Sequence, residues 1–232
     1  MMKKFSNYEK VETSNFDKER LKLGGHICKI IDATVQTIQS KTGGNSFDQL
    51  IINFDIAAPD EQEGYYQRKF KEDAAKDALN AKWKGVYKLS IPADDGSEND
   101  EKSKKNFKTF ITVVENSNQG YDWIKSDWDE KTLKGKLFGG IFGIEEFENL
   151  TGDVAYIVKC RFVRKIDTIK EEWKKIENGE EVKYPKVKCV DKSLMEYDEW
   201  LAKRKAEREG TTFPEASNSD IKPIDDSDDL PF

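Results

Sequence analysis

The sequence predicts a mainly β protein: a five-stranded β-barrel with two or three added helices and a disordered acidic C-terminal tail. Three observations support this fold class. Stretches rich in β-branched and aromatic residues recur along the chain, and glycine-containing turns bound several of them. A helical pattern of apolar residues falls between the third and fourth of these stretches. The end of the chain is rich in carboxylates and has little to bury, which is typical of disorder.

The first two strands are predicted to form a hairpin. Residues 1–24 are polar and weakly patterned and form a lead-in. Residues 27–38 are rich in β-branched side chains, and residues 47–57 follow after the turn sequence SKTGGNS at 40–46. Alternation in the second strand predicts that one face points to the core, and this face comprises Leu50, Ile52, Phe54 and Ile56.

A short strand, a helix and an extended segment are predicted next. GYYQRKF at 64–70 is the strand candidate, and alanine and charged residues at 71–85 favour a helix that ends at Gly85. VYKLSIP at 86–92 is predicted to be extended, and residues 92–104 to form a loop. An amphipathic helix is then predicted at 105–118, because four apolar residues follow the i, i+3, i+4, i+7 spacing: Phe107, Phe110, Ile111 and Val114.

Two long strands are predicted at 133–147 and 154–166, joined by a turn at Asn149–Asp153. Glycines at 139, 140 and 143 predict a bulge or a sharp coil in the first of them. Alternation in the second predicts an apolar face of Tyr156, Val158, Cys160 and Phe162. Its opposite, mostly basic face would comprise Lys159, Arg161, Val163 and Lys165.

The C-terminal part of the domain is predicted to hold a protruding hairpin or turn and one helix. The hairpin spans residues 170–190, and the helix spans 193–209 with Leu194, Tyr197 and Leu201 on one side. The predicted organisation is a lead-in at 1–24, one domain with insertions at 25–209, and a disordered tail at 210–232. Three strands, a helix and two further strands follow in the order of a five-stranded Greek-key OB-fold barrel.

The negative charge of the chain is concentrated at its end. The whole chain carries a formal charge of −6, and residues 214–232 hold six carboxylates and one lysine, a net of −5. Residues 1–213 therefore carry only −1. The body of the protein is nearly neutral and free to contain a basic face that meets an anion.

Cysteine usage and hydropathy predict a soluble, cytoplasmic protein with no membrane partner. The three cysteines, at 28, 160 and 189, are odd in number and widely spaced, so a disulfide framework is not expected. No apolar run approaches the ~20 residues that span a bilayer. The N-terminus lacks the apolar stretch of a signal peptide.

The chain ends in DDSDDLPF, where an acidic run is followed directly by an apolar tip. The carboxylates supply long-range attraction to a basic surface. The terminal aromatic ring can enter an apolar pocket while its own α-carboxylate meets a cation, and the proline before it reduces the entropy lost on docking. A purely solubilising acidic tail is the alternative. The predicted docking residues are Asp225, Asp226, Asp228, Asp229, Leu230, Pro231 and Phe232.

This tip resembles the C-terminal tip of the single-stranded DNA-binding protein family, in which an acidic run precedes a hydrophobic residue, Pro and Phe. The close match covers Ile224–Phe232 only. The resemblance implies an OB-fold that coats single strands and a tail that recruits replication or recombination proteins, such as a polymerase, helicase, primase or recombinase. The length, insertions and missing Gly/Gln-rich linker favour a phage-type relative acting in the cytoplasm of a bacterial host.

Cations and aromatic residues are interleaved in the body at 65–71, 82–88, 102–108 and 159–165. Single-strand binders use both types, because cations track phosphates and rings stack on bases. Solvated lysines and core rings are the alternative for any one stretch. The stacking candidates are Tyr65, Trp83 and Tyr87, and the phosphate candidates are Lys69, Lys84, Lys159 and Arg161.

Other functions have less support in the sequence. His26, Cys28, Cys160 and Cys189 could form a zinc site, but no CxxC pair favours it, and no cofactor is expected. The chain lacks the common catalytic motifs, so we do not expect an enzyme. An interaction adaptor that does not bind DNA, or a metal-dependent DNA-processing enzyme with a recruitment tail, remain alternatives. The sequence leaves homo-oligomerisation and RNA binding open.

Overall fold

The computed structural model describes residues 19–39 and 46–210, with side chains described up to residue 207. Within these ranges it contains a mixed seven-stranded sheet and four α-helices. The strands are β1 (Gly24–Gln39), β2 (Ser46–Ile56), β3 (Val86–Ser90), β4 (Leu137–Glu148), β5 (Val154–Arg164), β6 (Val187–Lys188) and β7 (Leu194–Met195). The helices are α1 (Tyr65–Lys76), α2 (Glu98–Ser117), α3 (Ile166–Glu177) and α4 (Tyr197–Gly210).

The predicted hairpin of the first two strands is confirmed. β1 and β2 pair antiparallel from Cys28 opposite Ile56 to Gln39 opposite Ser46, with one irregularity between Ile30 and Asp32. The turn sequence at 40–45 lies outside the described residues. The predicted core face of β2 is also confirmed, since its four alternate apolar residues are at most 2% exposed.

The five long strands follow the order β3-β2-β1-β4-β5, and each neighbouring pair is antiparallel. β6 pairs with β4 in parallel and with β7 antiparallel. No ladder joins β3 to β5 in the described part of the chain, so the sheet is not closed there. The mainly β class is thus confirmed, whereas barrel closure stays a prediction.

One core cluster contains residues from β1, β2, β3, β4, β5 and α2. Tyr87 on β3 and Cys160 on β5 both pack against it. Burial, and to a smaller extent the Cys160 thiol, raises the pKa of Tyr87 to about 12. A flat sheet would separate the two strands by about 19 Å, since neighbouring strands lie about 4.8 Å apart. Because side chains of both of these strands pack against one core cluster, the sheet is curved.

The helix predicted between β3 and β4 is confirmed, but it begins earlier than expected. α2 starts at Glu98, inside the predicted loop, because the Ser97 side chain accepts the backbone N–H of Asp100 and caps the helix. Phe110, Ile111 and Val114 face the core as the spacing predicted. None of the helices in the described ranges is both long and apolar enough to cross a membrane.

The strand predicted at 64–70 is wrong, since residues 65–70 belong to a helix, and the helix predicted at 71–85 is wrong in its bounds. A single helix, α1, runs from Tyr65 to Lys76, and no regular element covers 77–85. The Asp55 carboxylate on β2 accepts the backbone N–H groups of Tyr66 and Gln67 at 2.8 and 3.1 Å. The cap that starts the helix therefore comes from a residue distant in sequence.

The protruding hairpin or turn predicted at 170–190 is wrong in its first part, because α3 covers residues 170–177 and packs on the sheet. Ile166 and Ile169 join Ile27 and Ala57 in a second core cluster. Gly139 on β4 allows α3 to pack this closely on the sheet, since a Cβ at Gly139 would lie 2.5 Å from Cγ1 of Ile169.

The β4–β5 pair contains a bulge, but the extra residue lies in β5 and not in β4 as predicted, and it overturns part of the predicted β5 faces. Ile141 pairs with Phe162 and Phe142 pairs with Cys160, so Arg161 is the extra residue. After Arg161, the β5 side chains predicted to face the core point to solvent, and those predicted to face solvent point to the core. Phe162 is 47% exposed, whereas Val163 is buried.

The helix predicted at 193–209 is present but begins at Tyr197. The predicted apolar side is wrong, because Leu194 and Leu201 are exposed. Trp200 is buried instead, against Ile144 and Val187 in a third core cluster.

Candidate nucleic-acid interface

Four of the seven predicted body residues lie together around α1. The Lys69 ammonium lies 5.8 Å from the centre of the Tyr65 ring. Lys84 forms an ion pair with Asp73 on the same helix at 3.0 Å. The Trp83 ring contacts Phe70 of α1, with ring centres 5.9 Å apart. Residues from two separate segments thus form one mixed aromatic and basic surface, which we call the α1 surface.

Gly85 places Trp83 on this surface. A Cβ at Gly85 would lie 2.2 Å from the carbonyl oxygen of Phe54, so only glycine lets this segment approach β2 so closely. The Trp83 indole N–H then donates to the carbonyls of Phe54 and Gly85, both at 3.1 Å. The ring is held at a fixed position rather than exposed on a loop.

The three predicted stacking residues are all half-buried and pack against the main core. Tyr87 is the clearest case, because its ring stacks on Phe110 with centres 5.8 Å apart and planes inclined by 23°. Each ring therefore contributes to stability and leaves only part of its surface for a base. The sequence pattern did not distinguish these two roles.

The remaining two predicted phosphate ligands, Lys159 and Arg161, lie on β5 beside Glu145. Glu145 pairs with Lys188 at 2.8 Å and with Lys159 at 3.7 Å. Burial alone would raise the pKa of this carboxyl, but the hydrogen bond from Lys188 and the charges of Lys159, Lys188 and Arg161 lower it. Three cations thus surround one carboxylate, and we call this group the β5 patch.

Most of the predicted phosphate ligands are already ion-paired. Lys69 pairs with Glu72 at 3.0 Å, in addition to the pairs of Lys84 and Lys159. Partly exposed pairs of this kind contribute only about 0–1 kcal/mol each. A phosphate could replace the carboxylate at little cost, so the pairing does not remove these residues as candidates.

Sequence reasoning did not select the most exposed ring among the described residues. Trp128 is 62% exposed, which is unusual for so large an aromatic side chain. Its ring is nearly parallel to Phe107, at 8° with centres 6.5 Å apart, and Trp123 packs edge-on against both. We call these three residues the Trp128 cluster. No periodicity marked it, because it combines a helix with an irregular loop.

The structure does not bring His26 and the three cysteines together into one group. His26 hydrogen-bonds Asp60, and Cys28 and Cys160 both lie 3.1 Å from the position that a Cβ on Gly140 would take. Cys189 is buried elsewhere, where its backbone N–H bonds the carbonyl of Ser193. No group of three His, Cys, Asp or Glu residues suited to a metal ion occurs among residues 19–39 and 46–210.

The docking tip at Asp225–Phe232 lies outside the described residues. Neither a protein-family model nor a curated protein matches the chain.

Proposed function

We propose that this protein binds single-stranded DNA without sequence specificity and recruits partner proteins through its C-terminal tip. The observation that carries the proposal is the terminal sequence DDSDDLPF, which resembles the tip of the single-stranded DNA-binding protein family. The order β3-β2-β1-β4-β5 and the helix between β3 and β4 are compatible with the OB-fold that this resemblance implies.

The charge distribution supports DNA binding by the body of the protein. Five of the six net negative charges lie in residues 214–232, so the folded part is nearly neutral. The β5 patch gathers three cations around one carboxylate. Phosphates of a single strand would contact these cations, while bases stack on partly exposed rings. The α1 surface offers both groups side by side.

The tail gives the protein a second role. Because it is tethered to the body, its carboxylates are present at high effective concentration and compete with DNA for the basic surface. DNA binding would then release the tip for replication or recombination proteins. This arrangement suits a phage protein that protects single strands in the cytoplasm of its bacterial host.

An adaptor that recruits replication proteins but does not bind DNA is the second candidate. The half-buried state of Tyr65, Trp83 and Tyr87 favours it, because rings that fill a core need no further role. A metal-dependent DNA-processing enzyme is the third.

A gel-shift experiment with oligo-dT and a matched duplex, without and with Mg²⁺, separates the three. The single-strand binder shifts oligo-dT far more than the duplex and needs no metal. The adaptor shifts neither, and the enzyme converts one of the nucleic acids to product when metal is present. Either of the last two results would overturn the proposal.

A further inference from the structure

We propose that the free edge of β1 pairs antiparallel with the same edge of a second copy of this chain, so that two sheets join across a two-fold axis. This edge comprises residues 32–39 on the side of the strand away from β2, and we call it the β1 edge. The inference goes beyond the proposed function, since it concerns a contact between proteins that needs no nucleic acid.

Only the first half of β1 has strand partners on both sides within the described ranges. β4 pairs with it from Gly24 to Lys29, and backbone hydrogen bonds of 2.8 Å join Ile30 to the turn before β4. Beyond Ile30, β2 supplies the only backbone partners of β1 in the part of the chain that the structure describes. Alternate residues of an antiparallel strand direct their N–H and C=O groups to opposite sides. Every second residue of the β1 edge therefore leaves both groups unpaired in these ranges.

The β1 edge is also open to solvent. Val35 is 47% exposed although it lies on the core face of the hairpin. Gln36, Thr37 and Gln39 are exposed as well. The opposite edge of the hairpin is covered, because β3 pairs with β2. The hairpin of β1 and β2 therefore has one partnered edge and, among the described residues, one open edge.

The sequence of the β1 edge lacks the features that protect edge strands from pairing. Natural edge strands are commonly protected by charged residues, especially lysine, by proline, or by being short. Residues 33–39, ATVQTIQ, contain no charged residue, proline or glycine, and four of them are β-branched. β5 shows the contrast, because it pairs with β4 alone among the described strands and carries Lys159, Arg161 and Arg164. An unprotected edge of this kind is typical of a strand that pairs with another chain.

A second copy of the chain fits the β1 edge because the pairing is symmetric. A two-fold axis perpendicular to the sheet relates two copies of one strand antiparallel, and both copies contribute the same surface. Residues directly opposite each other point to the same face, and side chains alternate between faces with a period of two. The axis must therefore pass beside a residue and not midway between two. The registers that use most of the β1 edge are centred on Val35 or on Gln36.

Both registers bring compatible side chains together. With the axis at Val35, this residue faces its own copy and Thr34 faces Gln36. With the axis at Gln36, that residue faces its own copy and Val35 faces Thr37. Neither register opposes two like charges within the β1 edge, and cross-strand pairs of β-branched residues stabilise a sheet. The contact is small, so we expect a reversible dimer at micromolar concentrations and not an obligate one.

The test measures sedimentation velocity of the full-length protein over a range of micromolar concentrations without nucleic acid. We expect a monomer–dimer equilibrium. Thr34→Lys/Gln36→Lys and Thr34→Glu/Gln36→Glu should each raise its dissociation constant about tenfold, because both registers then oppose like charges. Thr109→Lys/Thr112→Lys is the matched control, since it adds the same charge as the lysine variant at exposed positions of α2 and should leave the dissociation constant unchanged.

Mixing the two charge variants of the β1 edge distinguishes a lost contact from a damaged fold. An equimolar mixture of the lysine and glutamate variants should recover a dissociation constant at or below that of the unmodified protein, because opposite charges then face each other across the axis. A folding defect would not be repaired by mixing.

Four results would overturn the inference. They are a full-length protein that stays monomeric at every concentration, a dimer that neither charge variant weakens, a mixture that stays as weak as its components, and an equal loss for the α2 control. Because the experiment contains no nucleic acid, none of these results bears on the proposed function.

Discussion

The Nδ1 atom of His26 lies 2.9 Å from an oxygen of Asp60, and both side chains are at most 5% exposed. The other ring nitrogen lies 2.9 Å from the carbonyl oxygen of Lys22, so both ring nitrogens have a hydrogen-bond partner. Asp60 also accepts the backbone N–H groups of Ile27 and Gln62. One buried pair thus joins the start of β1 to the segment before α1.

Substitution of Asp60 tests the structural role of this pair. Asp60→Ala should lower the free energy of unfolding by about 3–5 kcal/mol, because the His26 ring and two backbone N–H groups lose their acceptor, and each unsatisfied buried donor costs about 1–3 kcal/mol. Guanidinium denaturation measures the change. Glu61→Ala is the control, since Glu61 forms only an exposed pair with Lys22 and should cost about 0–1 kcal/mol. Equal costs for the two variants would contradict the assignment.

Substitutions of two neighbouring residues in the β5 patch should change the affinity for oligo-dT in opposite directions. Lys159→Gln should weaken oligo-dT binding and lower the salt slope by about 0.7, as expected for one phosphate contact. Glu145→Gln should strengthen binding, because it removes the carboxylate that competes for the same cations. Anisotropy titrations at several salt concentrations measure both. Lys174→Gln, on the exposed side of α3, should have no effect. Changes of the same sign in Lys159→Gln and Glu145→Gln would exclude the patch as a DNA contact.

Packing around Gly140 predicts the reactivity of two thiols. Burial raises the pKa of Cys160 to about 12 and that of Cys28 well above its usual value. Both thiols therefore stay protonated at pH 8, and neither should react with a maleimide reagent until the protein unfolds. Peptide mass spectrometry after timed labelling provides the measurement. Rapid labelling of Cys160 in the folded protein would contradict the packing of β5 on the main core.

The raised pKa of Cys160 also affects the stability of the folded protein at high pH. The unfolded thiol of Cys160 ionises near pH 9, whereas the folded one ionises near 12. Unfolding releases a proton between these values, so the contribution of Cys160 to stability is complete below about pH 9 and is lost as the pH rises toward 12.

Deletion of Asp225–Phe232 should separate the two roles of the protein. DNA affinity should stay equal or rise, because the tail no longer competes for the basic surface, while recruitment of partner proteins is lost. Phe232→Ala is the matched variant, since it keeps all four carboxylates of the tip and should lose recruitment alone. A fall in DNA affinity on deletion would refute the competition between tail and DNA.

Local periodicity predicted the five long strands β1 to β5 and the core-facing part of α2, because their burial patterns are set largely by their own sequences. The hairpin of β1 and β2 and the core face of α2 are examples. The errors arose where a distant residue decides the outcome. α1 is capped by Asp55 on β2, and the extra residue Arg161 inverts the faces at the end of β5. Neither effect is visible in the local sequence.

The candidate site was predictable in composition but not in arrangement. The interleaving of Lys and aromatic residues pointed to Tyr65, Lys69, Trp83 and Lys84, which the fold does bring together around α1. It did not separate core rings from exposed ones, because exposure depends on packing between elements. For the same reason Trp128, on an irregular loop, was not selected.

The dependence of oligo-dT affinity on salt tests the central claim most directly. A protein that holds a single strand through phosphate contacts releases counterions, so the logarithm of its affinity falls linearly with the logarithm of salt concentration, by about 0.7 per contact. We predict a slope of about −2 or steeper for the full-length protein, and weaker binding to a matched duplex at every salt concentration. A salt-independent affinity, or equal affinity for the two nucleic acids, would contradict the account.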